Sequence, residues 1–148
     1  MIGDLTALVL PSGLGIRIAE LSPTQADNIL ISAAKSMTPA STNIELIAAE
    51  TRAGAEAMVK QYTKGECKKK PVLKADGSPA KDAEGKAIEV YDPNDPKNEW
   101  LPFNPEAYDT IICSARDHAA LKQIYTQRTK CGADEVAAIM GKAVMVTT

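Results

Sequence analysis

Residues 5–10 form an apolar run, Pro11-Ser12-Gly13 follows, and then Leu14, Ile16 and Ile18 alternate with Gly15, Arg17 and Ala19. A period of two on either side of turn residues predicts a β-hairpin over 5–21 with one face buried. From Ser22 the period lengthens. Ser22-Pro23-Thr24-Gln25 combines a capping hydroxyl, a proline at the first helical position and a glutamine at the third, which is the reciprocal arrangement of a capping box. Ala26, Ile29, Leu30, Ala33, Ala34 and Met37 then recur at steps of three and four until Thr38-Pro39 ends the run. Thr42 and Glu45 repeat the capping pattern. Ile44, Ile47, Ala48, Ala55, Met58 and Tyr62 trace one face of a second helix, of about five turns and ending near Gly65. So short a connection predicts a helical hairpin over 22–63.

Between 64 and 104 the pattern dissolves into Gly, Pro, Asp and Lys, with two β-prone pieces, Val72-Leu73 and Ala87-Ile88-Glu89-Val90-Tyr91. An inserted polar β arm fits this stretch, its far end pinned to the body by Trp100, Leu101 and Phe103. Asn104 and Pro105 open a further helix whose buried face, Tyr108, Ile111, Ile112, Ala115 and Ala119, shifts to Leu121, Ile124 and Tyr125 before Thr129. A short last helix over 134–140 completes the C-terminal helices of 105–141. The expected fold is therefore α+β in a single domain: an N-terminal β-hairpin, a body of three to four helices, and a central extended β-hairpin arm.

The 148 residues are 45% apolar and 24% charged, with 17 basic against 19 acidic side chains. A chain of this size buries roughly 70% of its unfolded surface, so no metal or disulfide is needed to hold it. Only 4% of the residues are aromatic, too few for a base-stacking platform, and the even charge balance argues against a nucleic-acid grip. The longest uncharged run, 5–16, is too short to cross a bilayer and is broken by Pro11 and Gly13. No membrane association is expected.

Candidate chemistry is sparse. Cys67, Cys113, Cys131 and His118 have the residue types of a zinc site but no closely spaced pair, so neither a metal nor another cofactor is expected. Cys113 and Cys131 read as small core residues. Cys67, between Glu66 and Lys68-Lys69-Lys70, reads as an exposed thiol open to an intermolecular disulfide. Ser114, Asp117 and His118 are the ingredients of a nucleophilic triad, but neighbouring helix positions point about 100° apart, so Asp117 is poorly placed to orient His118. No catalytic residue is assigned, and the chain is read as a non-enzyme. Lys64, Lys68, Lys69, Lys70 and Lys74 form the one concentrated charge, and seven acids offset the eight lysines of 64–97. The cluster supports an alternative reading as a small helical regulatory or nucleic-acid-associated protein.

Leu8-Val9-Leu10-Pro11-Ser12-Gly13-Leu14-Gly15-Ile16-Arg17-Ile18-Ala19-Glu20-Leu21-Ser22-Pro23 resembles the start of the small tail-assembly and baseplate-assembly proteins of tailed bacteriophages. In those, an apolar strand, an LPSG turn and a second strand lead into a capped helix. Arg128 and Gly132 echo the family's late helix, and the arm of 64–104 departs from its short pattern. The resemblance implies a virus-encoded interaction protein without catalytic residues. Its partners would be other phage tail or baseplate proteins, with self-association left open. It would act in the host cytoplasm as a chaperone, or stay in the virion as a structural component. The residues expected to meet partners are Leu14, Ile16, Arg17 and Ile18 on the first hairpin and Val72, Leu73, Ile88, Val90 and Tyr91 on the arm.

Overall fold

A computed structural model describes residues 5–130. Strands β1 (Thr6–Val9) and β2 (Leu14–Ile18) form the expected N-terminal hairpin, turned at Gly13, whose φ of 96° suits a residue without a Cβ. Helix α1 (Pro23–Lys35) and helix α2 (Asn43–Met58) follow and pack on each other, both opened by the capping boxes read above. In each, the cap hydroxyl accepts from the third backbone N–H, and the Gln25 or Glu45 side chain accepts from the cap residue's own N–H.

At Met58 the chain departs from the expected helix. It passes without a loop into strand β3 (Val59–Glu66), so the helical hairpin closes at 58 rather than 63 and Tyr62 sits in a strand. Tyr62 does fall four residues after Met58, which is why the helical period runs through it. Yet Val59, Tyr62 and Thr63 are β-formers, and the open edge of β2 gives their backbone a partner. The arm boundary moves as well. Residues 64–66 belong to β3, and β6 (Trp100–Pro102) pairs with β3 over Gln61, Tyr62 and Thr63. The result is an antiparallel sheet in the order β1-β2-β3-β6, while β4 (Lys69–Pro71) and β5 (Glu89–Tyr91) form a separate two-stranded ribbon.

The long C-terminal helix is interrupted. A 3-10 turn (Pro105–Ala107) runs into the short α3 (Tyr108–Ile111), the chain breaks, and Ser114 caps α4 (Ala115–Thr129). The shift of apolar face noted in the sequence is this break: Tyr108 and Ile112 are buried from one side of it, Leu121 and Tyr125 from the other, while Ala115 and Ala119 are exposed. The expected helix over 134–140 lies outside the described residues.

One core joins the sheet to the helices through Ile16, Ile18, Met58, Tyr108, Leu121 and Tyr125. Burial of each aliphatic member contributes about 1.5–3 kcal/mol. Gly54 lets α4 approach, because a Cβ there would enter the Tyr125 ring. A polar clamp ties the first turn to α4: the Asp117 carboxylate, itself buried, accepts from Ser12 N at 3.0 Å and from Ser12 Oγ at 2.5 Å. Glu50 likewise accepts from Tyr125 Oη at 2.8 Å and pairs with Lys130 Nζ at 2.7 Å, fixing the end of α4 against α2.

Candidate interaction surface

Of the hairpin residues expected to meet partners, Ile16 and Ile18 are core, 0% and 1% exposed. They point to the buried face that the alternation itself implies, so they are unavailable to another chain. Leu14 is half-buried and packs on the same core. Arg17, on the opposite face, stacks its guanidinium 4.1 Å from the centroid of the Trp100 ring and donates to Gln61 Oε1 at 3.0 Å. It is half-buried and serves to close the β2-β3-β6 face.

The ribbon is better placed to meet partners. Leu73, Ile88 and Val90 are exposed, and Val72 and Tyr91 are half-buried. Val90 lies opposite Lys70, and Val72 N donates to Ile88 O, so Val72, Ile88 and Val90 share one face of the ribbon. Its root is fastened to the first hairpin. Tyr91 covers Gly13, where a Cβ would meet the ring at 2.7 Å, and Cys67 N donates to Gly13 O at 2.9 Å.

The cysteine readings are reversed by this packing. Cys67 is 2% exposed, tucked where a Cβ on Gly15 would meet its sulfur. Burial pushes its thiol pKa up, and the Thr63 hydroxyl offsets part of that. The flanking lysines are exposed while the thiol is buried, so Cys67 is neither the exposed nor the activated intermolecular thiol that its neighbours suggested. Cys113, read as core, is exposed because it falls in the break before α4. Cys131 lies outside the described residues. Among those described, no three His, Cys, Asp or Glu side chains converge as a metal site would need.

Cys113 lines a cavity of about 340 Å³ of mixed polar and apolar character together with Arg52, Tyr108, Asp109, Ile112, Ser114 and His118. Its side chains are mutually engaged. Arg52 lies over the Tyr108 ring at 4.2 Å and pairs with Glu56 and Asp109. Tyr108 Oη is 2.7 Å from His118 Nδ1. Burial holds the Tyr108 phenol protonated, with its pKa raised to about 12, and burial first, then Lys122 and Arg52, keeps His118 below the usual imidazole range. Which end of this hydrogen bond donates is set by the tautomer of the His118 ring. Of the other members of the sequence triad, Asp117 is turned away and holds Ser12, while Ser114 shares this lining with His118 and its Oγ accepts from Asp117 N as the cap of α4.

Of the lysine cluster, Lys64 pairs with Glu99, Lys70 with Asp92, and Lys69 Nζ sits 4.9 Å from the Tyr91 ring centroid. No helix among the described residues is long and apolar enough to cross a membrane.

Aliphatic positions expected on the inner helix faces stand open: Leu30 on α1, and Ile44 and Ile47 on α2, at 79% and 58%; Ile31, outside the expected α1 stripe, is exposed as well. Ile44, Ile47, Ala48 and Thr51 form one wall of an open groove of about 340 Å³, and Lys122, Gln123 and Thr126 of α4 form the other. The missed signal is one of length: the apolar face of α2 starts in its first turn, while its buried residues begin only at Glu50. Compared with protein-family models, curated proteins and solved structures, the chain has no significant match in any of the three.

Proposed function

We propose that this chain is a non-catalytic interaction protein acting in the tail or baseplate assembly of a tailed bacteriophage. The observation that carries the reading is the bare aliphatic side chains of the helical hairpin: Ile44 and Ile47, the most exposed, line one groove, and Leu30 and Ile31 are exposed on α1. Water-facing β-branched side chains gathered in a groove mark a protein contact more often than a solvated surface. The ribbon adds a second set, Leu73, Ile88 and Val90, on a two-stranded element that buries little of its own. Tail and baseplate proteins enter as the partner class through the likeness of residues 8–23 to the opening of that phage family. The clamp of Ser12 by Asp117 supplies a physical use for the turn serine in that motif.

Quantitative mass spectrometry of tails and tail precursors, purified from infected cells that produce this chain, tests the reading. A retained component appears in a fixed number of copies in finished tails, and a chaperone appears in precursors alone. Absence from both overturns the proposal.

A further inference from the structure

We propose that the groove between α2 and α4 receives an acidic amphipathic helix of a partner protein; this deepens the interaction reading and rests on it. The α2 wall supplies the apolar half of the argument. Its stripe continues from the buried Met58 and Ala55 through Thr51 to Ala48, Ile47 and Ile44, and the last three positions lose their cover. The bare part from Ile44 to Ala48 is about 6 Å long, just over one turn of helix, and the groove runs on to the buried Thr51. A helix with apolar residues at i, i+3, i+4 and i+7 would continue the packing that α4 gives the other half.

The α4 wall supplies the charge. Positions 116, 119, 122, 123 and 126 share the outward face of α4 and carry Arg116, Ala119, Lys122, Gln123 and Thr126, with no carboxylate. The one acid of this helix, Asp117, is buried and held by Ser12. None of the ion pairs among the described residues involves Arg116 or Lys122. On the α2 side, Glu45 is turned back into its own capping box. The groove thus pairs an aliphatic wall with a polar one whose single charge is Lys122, and Arg116 adds a second cation further along the same face of α4, in a chain whose overall charge is −2. An occupant that matches both walls presents aliphatic side chains to α2 and carboxylates to Lys122 and Arg116. A basic or neutral amphipathic helix matches the first wall only.

The test uses the full chain and two labelled synthetic 16-residue amphipathic peptides, alike in their leucine stripe, one with glutamates beside it and the other with lysines. Fluorescence anisotropy is expected to show saturable binding of the acidic peptide and at least ten-fold weaker binding of the basic one. Lys122→Glu should reverse that preference, and Ile47→Asp should abolish binding of both, with thermal melts confirming that each variant folds. Hydrogen exchange of the acidic complex should protect 43–51 and 122–126. Equal binding of the two peptides, protection confined to the ribbon, or no saturation overturns the proposal. So does protection of 43–51 in the free protein: dependence on concentration identifies a second copy as the occupant, and independence identifies this chain's own residues. If the chain is present in tails or precursors but neither peptide binds, the interaction reading survives and the groove proposal falls. If the acidic peptide binds but the chain is absent from both, the groove stands and the phage assignment falls.

Discussion

The two ends of α2 are written in similar residues and meet opposite fates. At the C-terminal end Gly54, Ala55 and Met58 lie under α4 and the sheet, with the Tyr125 ring seated on Gly54. At the N-terminal end, less than three turns away, Ile44 and Ile47 are more apolar than Gly54 or Ala55 and yet stand in solvent. Hydrophobicity gives a residue a reason to be covered, but burial depends on what lies across from it. Here α4 offers Leu121 and Tyr125 to one end and Lys122, Gln123 and Thr126 to the other. The covered end belongs to folding, and the bare end is the one we propose for association.

That contrast can be tested by substitution. Gly54→Val should cost about 3 kcal/mol or more, through overpacking against Tyr125, whereas Ile44→Ala should stay within about 0.5 kcal/mol. Urea denaturation that found equal costs at the two ends would break the comparison. Asp117→Ala removes both hydrogen bonds to Ser12 and should cost about 1.5–3 kcal/mol by the same measurement. Tyr125→Phe should cost about 1–2 kcal/mol, because Glu50 keeps Lys130 but loses its phenol donor.

Tyr125 also gives a signature in pH. Burial first, and then Glu50, raises its pKa from the ordinary 10.0 to about 12, and burial raises that of Tyr108 likewise. The folded state keeps these protons longer than the unfolded one. Their contribution is therefore whole below pH 10 and declines as pH climbs from 10 to 12, and Tyr125→Phe should flatten that decline. The smallest effect is at His118. Its depressed pKa means that the fold favours the neutral ring, so stability from this source is present above pH 6.5 and falls as pH drops below it. An NMR titration of its ring protons should show a midpoint below 6.5.

How much of this was legible depended on the range of the interaction. Both capping boxes, the Gly13 turn and the Asn104-Pro105 opening are contained within a few residues, and the sequence displays them outright. The change from helix to strand at Val59 was hidden because Tyr62 satisfies both periods, and only the edge of β2, more than forty residues earlier, decides between them. Cys67 misled for a related reason. Its chain neighbours are lysines, but its neighbours in space are Gly15 and Thr63. The proposed interaction surface was the least legible part, since an apolar stripe of α2 looks the same whether or not α4 reaches its end.

The Ser12 clamp has a consequence for how the molecule is made. Its two partners are 105 positions apart, so this turn leaves the ribosome long before the helix that locks it. Closing a loop of that length carries a large entropic cost before any contact repays it, and contacts of such separation slow folding. Until α4 emerges, the N-terminal hairpin is a strand pair with its serine unanswered. Hence a nascent chain stalled before Asp117 should remain open to protease at its LPSG turn, and release of the full length should end that exposure.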